Sequence, residues 1–380
     1  MPGLLPHVDP DGLLEYSVVY TDRAVNHMSQ RFQGAMKDIS RTLKQVYNAD
    51  AAVVIPGSGT TGMEAVARQF ATGRHCLVIR NGWFSYRWSQ IFEVGSIPAK
   101  TTVLTAQTEV GEHQAPFSPP PIAEVVAAIR EQKPDLVFAA HVETASGIML
   151  PEDYLKQVAD AVHAEGGMFV LDCIASGAIW VDMKATGVDI LISAPQKGWS
   201  GPACAGLVML GALALERIEL TTSTSFTVDL RKWLQIMQSY EQGGFAYHAT
   251  MPTDSLVVLR DVMAEAEARG FETLRAQQQE LGNRVRALLA EKGFKSVAAP
   301  GFEAPGVVVC YTEDDGIQSA KKFVEAGVQA AAGVPLQCGE PAGFKTFRIG
   351  LFGLDKWADV EGTVERLARA VDQIQAPATA

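Results

Sequence analysis

The chain has 380 residues, 47% of them apolar and 20% charged, with a net charge of −11; that length exceeds what one hydrophobic core usually serves, so two domains are expected. No cluster of Lys and Arg is dense enough to follow a phosphate backbone, which argues against nucleic acid as a partner. No apolar run approaches the roughly 18 residues of a membrane span, the N-terminus lacks the basic and apolar regions of a secretory signal, and the five cysteines (Cys76, Cys173, Cys204, Cys310, Cys338) form no CxxC pair or zinc spacing, so no metal site is indicated and reduced thiols in a cytoplasmic protein are expected.

From residue 30 to 48, Phe32, Met36, Ile39, Leu43 and Val46 recur at helical spacing. A buried strand at 51–55 follows, then a turn at 56–60 and a helix at 60–71. Further strands are expected at 76–80, 102–105, 136–141, 168–172, 189–193 and 206–210, with helices at 121–132 and 152–165 among the intervening segments. This alternation of buried strands and helices predicts an α/β fold, a mainly parallel sheet covered on both faces. The loop at 107–120 ends in three consecutive prolines and is the expected irregular or mobile surface segment. Beyond Pro252 a long amphipathic stretch runs to about Lys292, broken near Arg269-Gly270. It leads into strands at 307–311 and 346–349 and helices at 317–326 and 356–374, a smaller α+β unit. The expected organisation is an N-terminal segment (1–20), a large domain (21–255) and a small C-terminal domain (256–380).

The chemistry concentrates at strand ends. The apolar run Ile190-Leu191-Ile192 delivers Lys197 into turn-forming residues, and the strand at 168–172 ends in Asp172. Unpartnered charges are costly to bury, so two of them at the mouths of neighbouring apolar strands call for a ligand. Pyridoxal phosphate (PLP) accounts for both: a lysine forms its imine, and an acid keeps its pyridine nitrogen protonated. The turn Gly57-Ser58-Gly59-Thr60, between a strand and a helix, offers amides, hydroxyls and a helix N-terminus to a phosphate. It is not read as a dinucleotide fingerprint, because no acid closes the strand after Gly57, Gly59 and Gly62. Asn81-Gly82-Trp83-Phe84-Ser85-Tyr86-Arg87, after the next strand, presents aromatics on which a ring could stack.

The segments GSGTTGMEA (57–65), NGWFSYR (81–87), HVETASGIMLP (141–151), LDCIAS (171–176), SAPQKG (193–198), YHATMP (247–252) and FRIGLFG (347–353) resemble, in content and order, class V enzymes of PLP fold type I. The likeness is greatest to the alanine/serine–glyoxylate aminotransferase branch. The resemblance implies a large domain with a mainly parallel seven-stranded sheet between helices and a smaller α+β domain. It implies that Lys197 forms the imine and moves the proton in ping-pong transamination, and that Asp172 pairs with the pyridine nitrogen. Phe84 and Ile174 would pack on the two faces of the ring, with Thr144 near its hydroxyl. Ser58, Gly59, Thr60 and Gln196 would bind the phosphate, joined by Tyr247 and Thr250 from a second subunit of a homodimer. Arg348 would grip the substrate carboxylate, with Tyr16 and Ser17 beside it. The expected reaction carries an amino group from a small amino acid of the alanine or serine type to a 2-oxo acid such as glyoxylate or pyruvate. Two departures stand out: Leu14–Val18 replaces the family's glycine- and proline-rich N-terminal segment, and proline occupies position 195.

Two other readings compete. A cysteine desulfurase or β,γ-lyase of the same class would need a mobile nucleophilic thiol, for which Cys310 and Cys338 are the candidates. Gln196, where such enzymes carry a histidine, argues against it. A catalytically silent binding protein of this fold is opposed by the joint presence of Lys197, Asp172 and Arg348.

Overall fold

The computed structural model describes residues 3–108 and 114–376. Seven strands build the central sheet: β1 (Ala51–Pro56), β2 (His75–Arg80), β3 (Lys100–Thr105), β4 (Leu136–Ala140), β5 (Met168–Asp172), β6 (Ile190–Ser193) and β7 (Ala205–Leu210). Their spatial order is β1-β7-β6-β5-β4-β2-β3. Only β7 runs against its neighbours; every other pairing is parallel. Strands β1 to β6 therefore point the same way, and their carboxyl ends share one edge. Every residue of β4, β5, β6 and β7 is buried. Because alternate side chains point to opposite faces, this requires cover on both sides, as the continuous apolar runs predict.

Helix α1 (Gln30–Tyr47) starts at Ser29, whose side chain accepts from Phe32 N, and buries Phe32, Met36, Ile39 and Leu43. Helix α2 (Gly59–Val66) opens at Ser58, one residue earlier than the sequence suggested, and residues 67–71 continue it as a π-helical turn. The reason lies in a reciprocal cap: Ser58 Oγ accepts from Thr61 N while Thr61 Oγ1 accepts from Ser58 N. Helix α3 (Trp83–Gly95) follows β2, and α4 (Ile122–Gln132) and α5 (Glu152–Ala164) flank β4 in the chain. The 107–120 loop carries a short ladder of Gln107–Thr108 against Phe117–Ser118; its residues 109–113 lie outside the described residues.

Two long helices, α6 (Thr253–Arg269) and α7 (Phe271–Glu291), meet at Gly270, where φ of 88° breaks the helix. They lead to a three-stranded antiparallel sheet of β8 (Val307–Tyr311), β9 (Ala331–Ala332) and β10 (Thr346–Gly350), with β10 central. The helix expected at 317–326 is instead two short turns, Asp315–Gln318 and Lys321–Glu325, separated by left-handed Ala320. The one expected at 356–374 divides at Asp359, which caps α8 (Val360–Gln375) by accepting from Gly362 N.

Candidate active site

Five parallel strands end at the same edge, and the segment after each supplies part of one cavity of about 200 Å³. Strand β1 leads to Ser58, Gly59 and Thr60; β2 to Phe84; β4 to Thr144; β5 to Asp172 and Ile174; β6 to Gln196 and Lys197. All nine line the cavity. Open parallel sheets place ligands here because the crevice at the carboxyl ends collects loop side chains and helix N-termini.

Close backbone packing shapes the wall. A Cβ on Gly198 would lie 2.3 Å from Gly177 O, so the residue after Lys197 can only be glycine without the Gly177 turn moving. A Cβ on Gly59 would lie 2.5 Å from Ile174 Cδ1, so the amide at the start of α2 sits directly against the Ile174 side chain.

Asp172 is 6% exposed. One carboxylate oxygen accepts from Ile174 N at 2.8 Å, and among the described residues no donor is hydrogen-bonded to the other. Burial pushes this carboxyl up to about 6, against the pull of the Ile174 amide and Lys197. Burial also lowers the proton affinity of Lys197, against the attraction of Asp172. No ion pair joins the two. The Lys197 ammonium lies 5.5 Å from the Phe352 ring centroid and 5.9 Å from that of Phe84. Thr144 is buried and its Oγ1 has no hydrogen-bond partner, an arrangement costly enough to imply a ligand atom.

The Phe84 ring is held from behind. The buried Glu143 carboxylate accepts from Phe84 N (3.1 Å), Ser85 N (2.8 Å), Ser85 Oγ (2.7 Å) and Ala145 N (3.0 Å), pinning the positive end of α3 beside the cavity. Arg348 lies on β10 between Val309 and Ala331. Its Nε donates to Ala332 O at 2.8 Å, and its guanidinium carbon is 5.5 Å from the Phe84 centroid. Arg348 is thus not in the cavity wall proper but faces the same ring as Lys197. Burial lowers its proton affinity, opposed by Glu143.

Four expected residues lie apart from the cavity within this chain. Tyr247 is exposed and its hydroxyl pairs with Thr250 Oγ1 at 3.0 Å. Tyr16 is exposed, and Ser17 Oγ accepts from Asn26 Nδ2 and Tyr20 N. The Glu340 carboxylate is occupied, accepting from the amides of Leu336, Gln337 and Cys338. His141 is a structural histidine, buried, bonded to Ser176 Oγ at 2.7 Å and pushed by burial down to about 4.

Sequence reasoning passed over Glu143 and Arg87. Glu143 comes three residues after the apolar strand 136–140, where a carboxylate carried out of a buried run needs partners, which is itself a signal. Arg87 follows Phe84 by three positions on one helix, the spacing that puts two side chains on one face, and it too lines the cavity.

The residues fit PLP. A carboxylate at the cavity wall, an orphaned hydroxyl, an aromatic face, a helix N-terminus and a lysine of lowered proton affinity surround one cavity. The fold and this edge define an α/β enzyme built around a lysine-centred cavity. Residues 12–349 match the family model Aminotransferase class-V, and the chain belongs to the class-V aminotransferase family. It is 27% identical over 349 residues to 2-aminoethylphosphonate–pyruvate transaminase 2 of Polaromonas sp. strain JS666, covering 90% of this chain and 89% of the relative. It is 25% identical to the alanine–glyoxylate aminotransferase of Rattus norvegicus, over 92% of this chain and 81% of that one. The crystal structure of an alanine–glyoxylate aminotransferase from Nostoc sp. shares the fold, with a TM-score of 0.78, 21% identity and coverage of 93% and 89% of the two chains. Among the described residues no helix is long and apolar enough to cross a membrane.

Proposed function

We propose that the chain is a PLP-dependent aminotransferase that carries an amino group from a small L-amino acid of the alanine or serine type to a 2-oxo acid such as glyoxylate or pyruvate. The observation that carries this reading is the meeting of Lys197, Asp172, Phe84, the partnerless Thr144 hydroxyl and the α2 N-terminus at one cavity. When bound, PLP supplies an electron sink for the pair left at the substrate Cα. Everything else falls to the chain. Asp172 holds the proton on the pyridine nitrogen, and a cation there offsets the burial that otherwise drives its carboxyl up to about 6. Lys197 Nζ takes the substrate's Cα proton, a task helped by the burial that favours its neutral amine. Phe84, fixed by Glu143, and Ile174 close the two faces of the ring, and Thr144 Oγ1 reaches its hydroxyl. Arg348, anchored through Nε, keeps its two terminal nitrogens for the substrate carboxylate.

The chain would act as a homodimer with Tyr247 and Thr250 reaching the phosphate site of the partner. The exposed apolar residues Leu13, Leu14, Val18 and Phe245, on the segments that carry Tyr16 and Tyr247, support such an interface. The division into segment 1–20 and domains 21–255 and 256–380 belongs to the same reading. So does a cytoplasmic setting, favoured by five cysteines that are all free thiols. The desulfurase alternative is disfavoured because burial pushes both the Cys310 and Cys338 thiols up to about 12, leaving no thiolate to attack. Cys338 Sγ also spends its hydrogen on Arg80 O at 3.3 Å. The test is Lys197→Ala, which should abolish both the visible absorbance of the PLP-loaded protein and its turnover. A purified variant retaining both would overturn the assignment. Single half-reactions with a panel of amino acids, followed spectroscopically, identify the donor.

A further inference from the structure

We infer that Arg87 is the cationic ligand of the cofactor phosphate. This rests on the PLP reading above. A phosphate monoester carries about −1.5 to −2 charges at neutral pH. Yet Ser58, Gly59, Thr60 and Gln196, and Tyr247 and Thr250 from a second copy, are all neutral. A helix N-terminus contributes only about half a unit of positive charge. The cradle as so far described leaves most of the dianion uncompensated in a largely buried site.

Two cations line the cavity among the described residues, Lys197 and Arg87. Lys197 would be committed to the cofactor's aldehyde, where its nitrogen forms the imine. Arg87 remains. It leaves α3 on the same face as Phe84, and its Nη1 donates to Thr60 Oγ1 at 2.9 Å. Its guanidinium carbon is 5.3 Å from the Phe84 centroid. The charge therefore stands at the first turn of α2, beside Ser58, Gly59 and Thr60 of the cavity wall. Asp172, the anion of the same cavity, makes no ion pair with it; that carboxylate is held chiefly by the Ile174 amide and Lys197. A guanidinium with several donors, one of them already on a cradle hydroxyl and none on a carboxylate, matches the geometry of a phosphate oxygen pair.

The experiment compares PLP with pyridoxal, which lacks the phosphate, in binding to cofactor-free wild type, Arg87→Gln and Arg87→Lys, read from the visible band. In Arg87→Gln the Kd for PLP should rise roughly 10- to 100-fold, the range for losing a hydrogen bond to a charged group, while the Kd for pyridoxal stays within about twofold. Arg87→Lys, which keeps the charge, should retain more PLP affinity than Arg87→Gln. Equal weakening towards both ligands would mark Arg87 as merely structural and overturn the inference, as would unchanged PLP affinity or a lysine variant no better than glutamine. Failure of wild type to develop any visible band with PLP would instead overturn the cofactor reading itself.

Discussion

Replacing Asp172 with Asn should stabilise the cofactor-free protein at alkaline pH and abolish its function. The buried carboxyl titrates at about 6 rather than its ordinary 3.8, so folding takes up a proton between those values. Because the folded value is the higher one, the charged form is penalised. The penalty is absent well below 3.8, grows as pH rises through the interval, and is complete above about 6, where it amounts to about 3 kcal/mol. Asn keeps the shape and the acceptor for Ile174 N without the charge. The stability difference between Asp172→Asn and wild type, measured by urea denaturation without cofactor, should therefore swing by about 2–3 kcal/mol in favour of the variant between pH 4 and pH 8. The attraction of Lys197 acts only on the ionised carboxylate and is already contained in the carboxyl's shift, so it adds no separate offset. A stability difference that is flat from pH 4 to pH 8 would refute the reasoning. The same variant should bind PLP yet lose transamination by orders of magnitude, since a neutral amide cannot hold the pyridine nitrogen protonated.

Other outcomes follow from the site. Arg348→Ala should raise KM for both amino and oxo acid roughly 10- to 100-fold, the cost of a charge-assisted bidentate pair; an unchanged KM would remove its carboxylate role. Glu143→Gln replaces one carboxylate oxygen by a donor facing donors, because each oxygen already accepts two bonds. A stability loss of about 3 kcal/mol is expected, together with weakened cofactor dichroism in the near ultraviolet; a change below about 0.5 kcal/mol would show that the Phe84 support lies elsewhere. Alkylating reagents at pH 7.5 should leave turnover intact, given thiols held near 12 at Cys310 and Cys338, and sulfide release from cysteine should be absent; its appearance would favour the lyase reading.

Much of this was legible in the chain because it depends on local pattern. Continuous apolar runs specified the strands β4 to β7, and a residue placed just after such a run must emerge at the sheet edge, whichever strands lie beside it. That is why Asp172, Lys197, Ser58–Thr60 and Phe84 could be named before their neighbours were known. The boundaries that moved did so through single side chains: Ser58 reached back to cap α2, and Asp359 started a new helix where the apolar spacing ran on.

What the sequence determined by itself is the inventory: buried strands, the charged groups at their mouths, and the glycines beside them. Which groups meet was decided by the tertiary structure, because strand order is set by crossovers and long-range packing that no local spacing records. The sheet order β5-β4-β2 brings Glu143 under the start of α3, 58 or more residues away in the chain, turning an anonymous buried acid into the support of Phe84. Gln278, without exposure in the middle of α7, accepts from Ala178 N at 2.7 Å and so fixes the Asp172 loop from a helix 100 residues downstream. Arg87 gained its meaning the same way. On the chain it is one arginine of a helix; in the fold it is a charge beside Thr60, at the point where a neutral cradle needs one.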